Sequence, residues 1–207
     1  MKTRLISVAV VLVGVAGLMA GQVFSQDHDK KGDQGGPDPA MMEAWKKAIA
    51  PGSFHAHLKP LEGRWSFTTK WRMTSEQPWE ESKGVAEYKW ILGGRFLQQN
   101  TVGDPMGPDG DRFEGMGITG YDNGAKKYTS IWADNMGTGT MVSSGTCDAS
   151  GKVFTFMGTI SDPFTGEPKK EKSVLRIIND GKHVFEMFSV GPDGKEFNSL
   201  VVTYARS

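Results

Sequence analysis

Trp65-Ser66-Phe67-Thr68-Thr69-Lys70-Trp71-Arg72-Met73 changes character at almost every step. Trp65, Phe67, Thr69, Trp71 and Met73 fall on one face of an extended chain; Ser66, Thr68, Lys70 and Arg72 fall on the other. Period two with one greasy face is the mark of a strand laid over a core. Nine further runs of β-type composition follow, at 84–92, 95–102, 113–121, 127–133, 138–147, 152–161, 170–178, 183–190 and 197–206. Between them stand Leu92-Gly93-Gly94, Asp122-Asn123-Gly124, Ser150-Gly151, Asp180-Gly181 and Pro192-Asp193-Gly194. These are hairpin residues, several of them tolerant of positive φ. About ten strands joined by short turns, with no helices between them, predict an antiparallel meander. Left open, such a sheet would expose two edges, and closing into an up-and-down barrel removes both.

Upstream of the strands, Met41, Trp45, Ala48 and Ile49 recur at helical spacing until Pro51-Gly52 stops the run. The expectation is a short capping helix whose Met41/Trp45/Ile49 stripe packs on one barrel mouth, with a second turn over residues 55–61. The barrel domain is thus residues 40–207, a size suited to one core. Residues 26–39 are Asp, Lys, Gly, Gln and Pro with hardly an apolar side chain, the composition of a flexible linker. Residues 1–25 read as a signal peptide: Lys2 and Arg4 precede an uncharged run from Leu5 to Ala20. Cleavage is placed after Ser25, with Ala20 as the other position. A stable membrane span needs about 20 apolar residues, and Gly21-Gln22 come too early. An uncleaved N-terminal anchor is the competing reading. On the export reading the protein is periplasmic or extracellular. No cysteine near the cut offers a lipid attachment, and the single Cys147 has no partner for an intrachain disulfide.

The 24 basic and 24 acidic side chains leave no field for nucleic acid or anionic lipid.

His57-Leu58-Lys59-Pro60-Leu61-Glu62-Gly63-Arg64-Trp65 resembles the Gly-x-Trp opening of the calycin superfamily, which includes lipocalins and fatty-acid-binding proteins. In such barrels a terminal arginine covers that tryptophan, which implies a structural closure of Trp65 by Arg206. The chain is more closely similar to the domain of unknown function 1579 family. The residues that carry this likeness are 57–65, Leu92-Gly93-Gly94-Arg95-Phe96-Leu97, the stretch 113–122, Trp132-Ala133-Asp134 and Tyr204-Ala205-Arg206. The resemblance implies a lipocalin-like barrel and brings no activity with it. Nitrobindins, ten-stranded haem-binding barrels, share a similar opening and carry their axial histidine in the last strand. The matching stretch Asn198–Tyr204 has no histidine, which weighs against haem held in that way, and no cofactor is expected.

Gly115-Met116-Gly117-Ile118-Thr119-Gly120 spells the dinucleotide pattern, but a hairpin turn follows where the phosphate-binding helix should begin. The glycines are better suited to strand curvature or a bulge. His55-x-His57 is an incomplete metal shell, and Asp104, Asp109 and Asp111 lack the ligand spacing of a calcium loop, so no metal site is expected. No Ser stands in a nucleophile elbow.

If Asp180-Gly181 is a two-residue turn with an even ladder, Leu175 pairs with Glu186 and Arg176 with Phe185. Glu186 then shares a face with Leu175, Ile177, Val184, Phe188 and Val190. On that register Glu186 orients a ligand in the lumen, or else makes a structural ion pair with Arg95 or Arg176. Trp71, Trp90, Trp132, Met141 and Met157 are expected to line a greasy lumen, with Arg176 and Glu186 as its polar candidates. Ten strands leave more room than eight, which favours a cavity over a filled barrel. The leading expectation is a non-enzymatic barrel for a small apolar ligand. A filled barrel serving as a structural or interaction protein of the envelope is the alternative. An enzyme using Glu186 comes third.

Overall fold

The computed structural model describes residues 38–105, 110–162, 165–191 and 193–207. The expected signal peptide, most of the expected linker and Asp109 lie outside these residues. Alternation and hairpin turns produce ten strands: β1 Gly63–Trp71, β2 Glu80–Ile91, β3 Phe96–Pro105, β4 Arg112–Asp122, β5 Lys127–Asp134, β6 Met141–Cys147, β7 Val153–Ser161, β8 Pro168–Asn179, β9 Lys182–Val190 and β10 Glu196–Arg206. Each pairs antiparallel with its sequence neighbour, and β1 pairs with β10 from Trp65↔Arg206 to Trp71↔Leu200. The sheet is therefore a closed up-and-down barrel with no free edge.

The connections differ between the two ends. At one end the turns are tight: residues 92–95, 123–126, 148–152 and 180–181. At the other end stand the longer connections, at residues 72–79 and 135–140 among others.

The tight-turn end is sealed. Helix α1 Pro39–Ile49 is followed by a short helix α2 Ser53–Ala56 and a 3-10 turn Lys59–Leu61. Leu58 and Leu61 from this segment are buried with Trp65, Phe67, Tyr88, Leu97, Tyr128, Phe154, Ile177 and Tyr204 in one core. The stripe expected to make that seal does not. Met41 and Trp45 on α1 are 58% and 56% exposed, and no residue of the helix is buried. Its C-terminal end is tied down instead, where Asn123 Nδ2 donates to the carbonyls of Ala48 and Ala50. The segment 53–61, with Leu58 and Leu61 buried, occupies the mouth in its place.

Candidate functional site

With the core gathered at the sealed end, the other half of the barrel is hollow. A cavity of about 820 Å³ runs from the floor at Leu61, Tyr88 and Tyr204 to a mouth marked by Glu80, Pro105, Asp134 and Met136. Its walls are aromatic and aliphatic, with Phe67, Trp71, Phe113, Trp132, Phe156 and Phe185 prominent among them. The sequence pattern explains this lining: alternate residues of β1 and β9 point inward, so Phe67/Thr69/Trp71 and Phe185/Met187 share one surface.

Of the expected lining residues, Trp71, Trp132 and Met141 stand in the cavity wall. Trp132 lies across the glycines of β4; a Cβ at Gly115 would come within 2.4 Å of its ring and one at Gly117 within 3.0 Å. The β4 ladder runs without a break from Gly115 to Asp122, so these glycines make room for rings and do not form a bulge. Trp132 Nε1 donates to Asp134 Oδ2 at 2.7 Å, which fixes the indole at the mouth. Trp90 points inward but packs against the core below the cavity. Met157 is a correction: Phe154 and Phe156 are the buried residues of β7, so Met157 between Phe156 and Gly158 faces out and is 53% exposed.

The lumen placement of Arg176 and Glu186 is also corrected, and of the two readings of Glu186 the structure shows the ion pair with Arg176. The ladder between β8 and β9 is irregular at Ile177/Asn179, leaving Ile178 unpaired, and the pairs are Val174↔Glu186, Leu175↔Phe185 and Arg176↔Val184. One extra residue reverses the faces of β9 relative to the β8 residues before Ile178, as compared with the even ladder. Leu175, Phe185 and Met187 take the lumen. Arg176 and Glu186 go to the outer surface, where Arg176 Nε donates to Glu186 Oε2 at 3.2 Å. Glu186 also accepts from Asn198 Nδ2. The enzyme reading built on Glu186 loses its premise.

Residues 50–206 match the family described as protein of unknown function (DUF1579). This chain belongs to that family. No curated protein matches the DUF1579 chain. Among solved structures, its barrel is similar to the crystal structure of Rv2717c from M. tuberculosis, with a TM-score of 0.57 and 15% identity over 76% of this chain and 99% of that chain. A redesigned β-barrel, b11L5F_LGL, gives a TM-score of 0.39 at 16% identity, over 73% of this chain and 95% of that one. EF1p2_mFAP2b bound to DFHBI gives 0.39 at 14%, over 75% and 100%.

The sealed end of the DUF1579 barrel is tied by Arg206. Its guanidinium lies 4.2 Å over the Trp65 ring. It also donates to the carbonyls of Asp180, Glu62 and Pro60. Trp65 Nε1 in turn donates to Leu61 O at 2.7 Å. Beneath Trp65, His183 is buried between that ring and Tyr204, outside the cavity wall. The two cap histidines are engaged locally: His55 Nδ1 accepts from Gly52 N, and His57 Nδ1 bonds the Tyr128 hydroxyl at 2.9 Å. Asp104 accepts from Lys83 N. Among the described residues no cluster of three or more His, Cys, Asp or Glu is arranged to hold a metal. Burial, with the Asp148 carboxylate beside it, pushes the Cys147 thiol up to about 11, so it carries almost no thiolate at neutral pH.

Sequence reasoning missed one carboxylate that does face inward. Glu171 shares its side of β8 with Ser173 and Leu175, both in the cavity wall. It accepts hydrogen bonds from Ser189 Oγ at 3.0 and 3.2 Å, and Ser189 Oγ lies 2.9 Å from Ser199 Oγ on the lining. Burial raises its pKa, outweighing the opposing effects of Ser189 and of Lys169. The run Lys169-Lys170-Glu171-Lys172 looks like a solvated charge cluster; only the parity with Ser173, Leu175 and Ile177 betrays the inward residue.

Proposed function

We propose that this protein is a non-enzymatic binding barrel that holds one small, largely apolar molecule in its lumen, and that it does so in the periplasm or outside the cell. The observation that carries the reading is the hollow half of the barrel. A cavity of about 820 Å³ is within the range of small-molecule sites. A barrel serving only as a structural element has no need to leave aromatic side chains facing empty space. Each unfilled contact forfeits dispersion energy. The N-terminal 25 residues supply the export part of the reading through their charge and hydropathy pattern.

Titration with Nile red, a neutral apolar dye, tests the binding. One dye per barrel is expected, with quenching of Trp71 and Trp132 emission. Ser143→Leu and Leu200→Phe, each placing bulk in the lumen, are expected to weaken that binding at least about tenfold while the far-ultraviolet spectrum and melting remain those of a folded barrel. Dye binding that does not saturate, or that folded filling variants leave unchanged, places the site elsewhere and overturns the reading.

A further inference from the structure

The cavity is one-sided in its charge. Its lining includes Glu80, Glu81 and Asp134 at the mouth, and among the described residues no Lys, Arg or His contributes to it. Arg72 at the same end is already committed: Nε donates to Asn198 O, Nη1 to Ser75 O, and its guanidinium lies over Trp79. Lys172 pairs with Glu196, and Lys169 with Asp162. Glu81 is paired with Lys70, so the charge an entering head group meets at the mouth is that of Glu80 and Asp134, with no cation among the described residues of the wall.

A row of polar side chains crosses the wall strand by strand. Thr119 Oγ1 and Ser130 Oγ are 2.9 Å apart; Ser130 pairs with Ser143, Ser143 with Gly158, and Gly158 with Glu171. From Glu171 the row passes through Ser189 to Ser199. Two serines of this wall, Ser143 and Ser173, are only 6% and 5% exposed and line the cavity. Their hydroxyls have no hydrogen-bond partner among the described residues. These hydroxyls open onto the cavity, the space a ligand would occupy.

Glu171 is the one carboxyl in this row. Among the described residues it makes no salt bridge, and its hydrogen-bond partner is a hydroxyl. A half-buried carboxylate on the inward side of a barrel whose cavity wall is aromatic gains from a cation that arrives with the ligand. The same aromatic rings favour a cation electrostatically.

We propose that the lumen takes an apolar molecule bearing a basic amine, its tail against the aromatic wall and its ammonium group near the mouth, with Glu171 as counter-ion. The unpartnered serines serve the ligand's remaining polar atoms. This deepens the binding reading given above and rests on it.

Displacement of Nile red by decylamine, decan-1-ol and decanoate at pH 7.4, below their aggregation limits, tests the charge preference. Decylamine is expected to bind at least about tenfold more tightly than decanol, with decanoate weakest. Glu171→Gln keeps the shape and the Ser189 hydrogen bond; it is expected to remove most of the preference for the amine while leaving decanol unchanged. Glu80→Gln, at an exposed position, serves as a second variant that leaves the fold intact, and its effect is expected to be smaller. Decanol or decanoate binding as tightly as decylamine, or an undiminished amine preference in folded Glu171→Gln, overturns the proposal while dye binding keeps the cavity reading alive. Failure of the dye itself to bind removes the reading beneath it.

Discussion

His183 is 1% exposed, and among the described residues neither ring nitrogen has a hydrogen-bond partner. The ring is stacked on Tyr204 with centroids 4.1 Å apart and stands perpendicular to Trp65 at 4.3 Å. Burial, and then the Arg206 guanidinium, hold its pKa down at about 3 against an ordinary 6.5. Between those values the unfolded chain binds a proton that the folded chain refuses. Stability from this residue is therefore intact above pH 6.5 and falls as the pH drops towards 3, by about 1.4 kcal/mol per pH unit in that window. His183→Phe keeps a flat ring and removes both nitrogens. It is expected to be near neutral in stability at pH 7.5 and to flatten the loss between pH 6 and pH 4, as measured by urea unfolding. Glu81, Glu87 and Asp148, whose carboxyls are held low by hydrogen bonds, lose their contributions in both proteins and cancel in the comparison. An acid limb of unchanged slope in the variant would mean that His183 takes up its proton without cost.

At the scale of one strand, β4 shows how an apparent motif becomes a packing device. Gly115, Gly117 and Gly120 spell a nucleotide signature, yet in the strand they are the floor on which Trp132 and Phe96 rest. A Cβ at residue 115 would meet two carbons of a rigid indole at 2.4 and 2.8 Å, and the ring must move. Gly115→Ala is expected to cost about 1–3 kcal/mol, to break the Trp132–Asp134 hydrogen bond and to weaken Nile red binding by displacing the ring. Gly137→Ala, where a Cβ meets nothing within 4 Å, is the control and should stay within about 0.5 kcal/mol. Unfolding curves and tryptophan emission read both variants. The β8–β9 hairpin shows where sequence reading stops. The two-residue turn at Asp180-Gly181 was legible, but the unpaired Ile178 was not, because nothing in Ile177-Ile178-Asn179 distinguishes a regular ladder from a bulged one. That single residue sent Glu186 outside to Arg176, while Glu171 was inward by its parity with Leu175 on either register and was overlooked in a run of lysines.

Across the whole molecule, ten strands and their closure were legible because the alternation is long and the turns are rich in Gly, Asn and Asp. Which parity faced inward was legible only where rings supplied a strong signal: Trp71 followed from Trp65 and Phe67, whereas Met157 was misjudged beside Phe154 and Phe156. The exposed stripe of α1 was misjudged for another reason: helical periodicity gives a face but not its partner. What the fold adds is a separation of the two ends. The sealed end carries the core and the Arg206 clasp, which joins the last strand to the carbonyls of Pro60, Glu62 and Asp180. The hollow end carries the cavity mouth, on the far side of that core. Arg206→Lys retains the charge but loses the planar fork that reaches three carbonyls and lies over Trp65. The substitution is expected to cost about 1–3 kcal/mol, since the contacts are charge-assisted but the residue is solvent-exposed. For a chain of this size that lowers the melting temperature by roughly 2–4 °C per kcal/mol. Nile red affinity, measured well below the melting range, should remain at the wild-type value. A variant that melts early and also binds weakly would show that the clasp shapes the lumen, and that closure and binding are one property of the barrel.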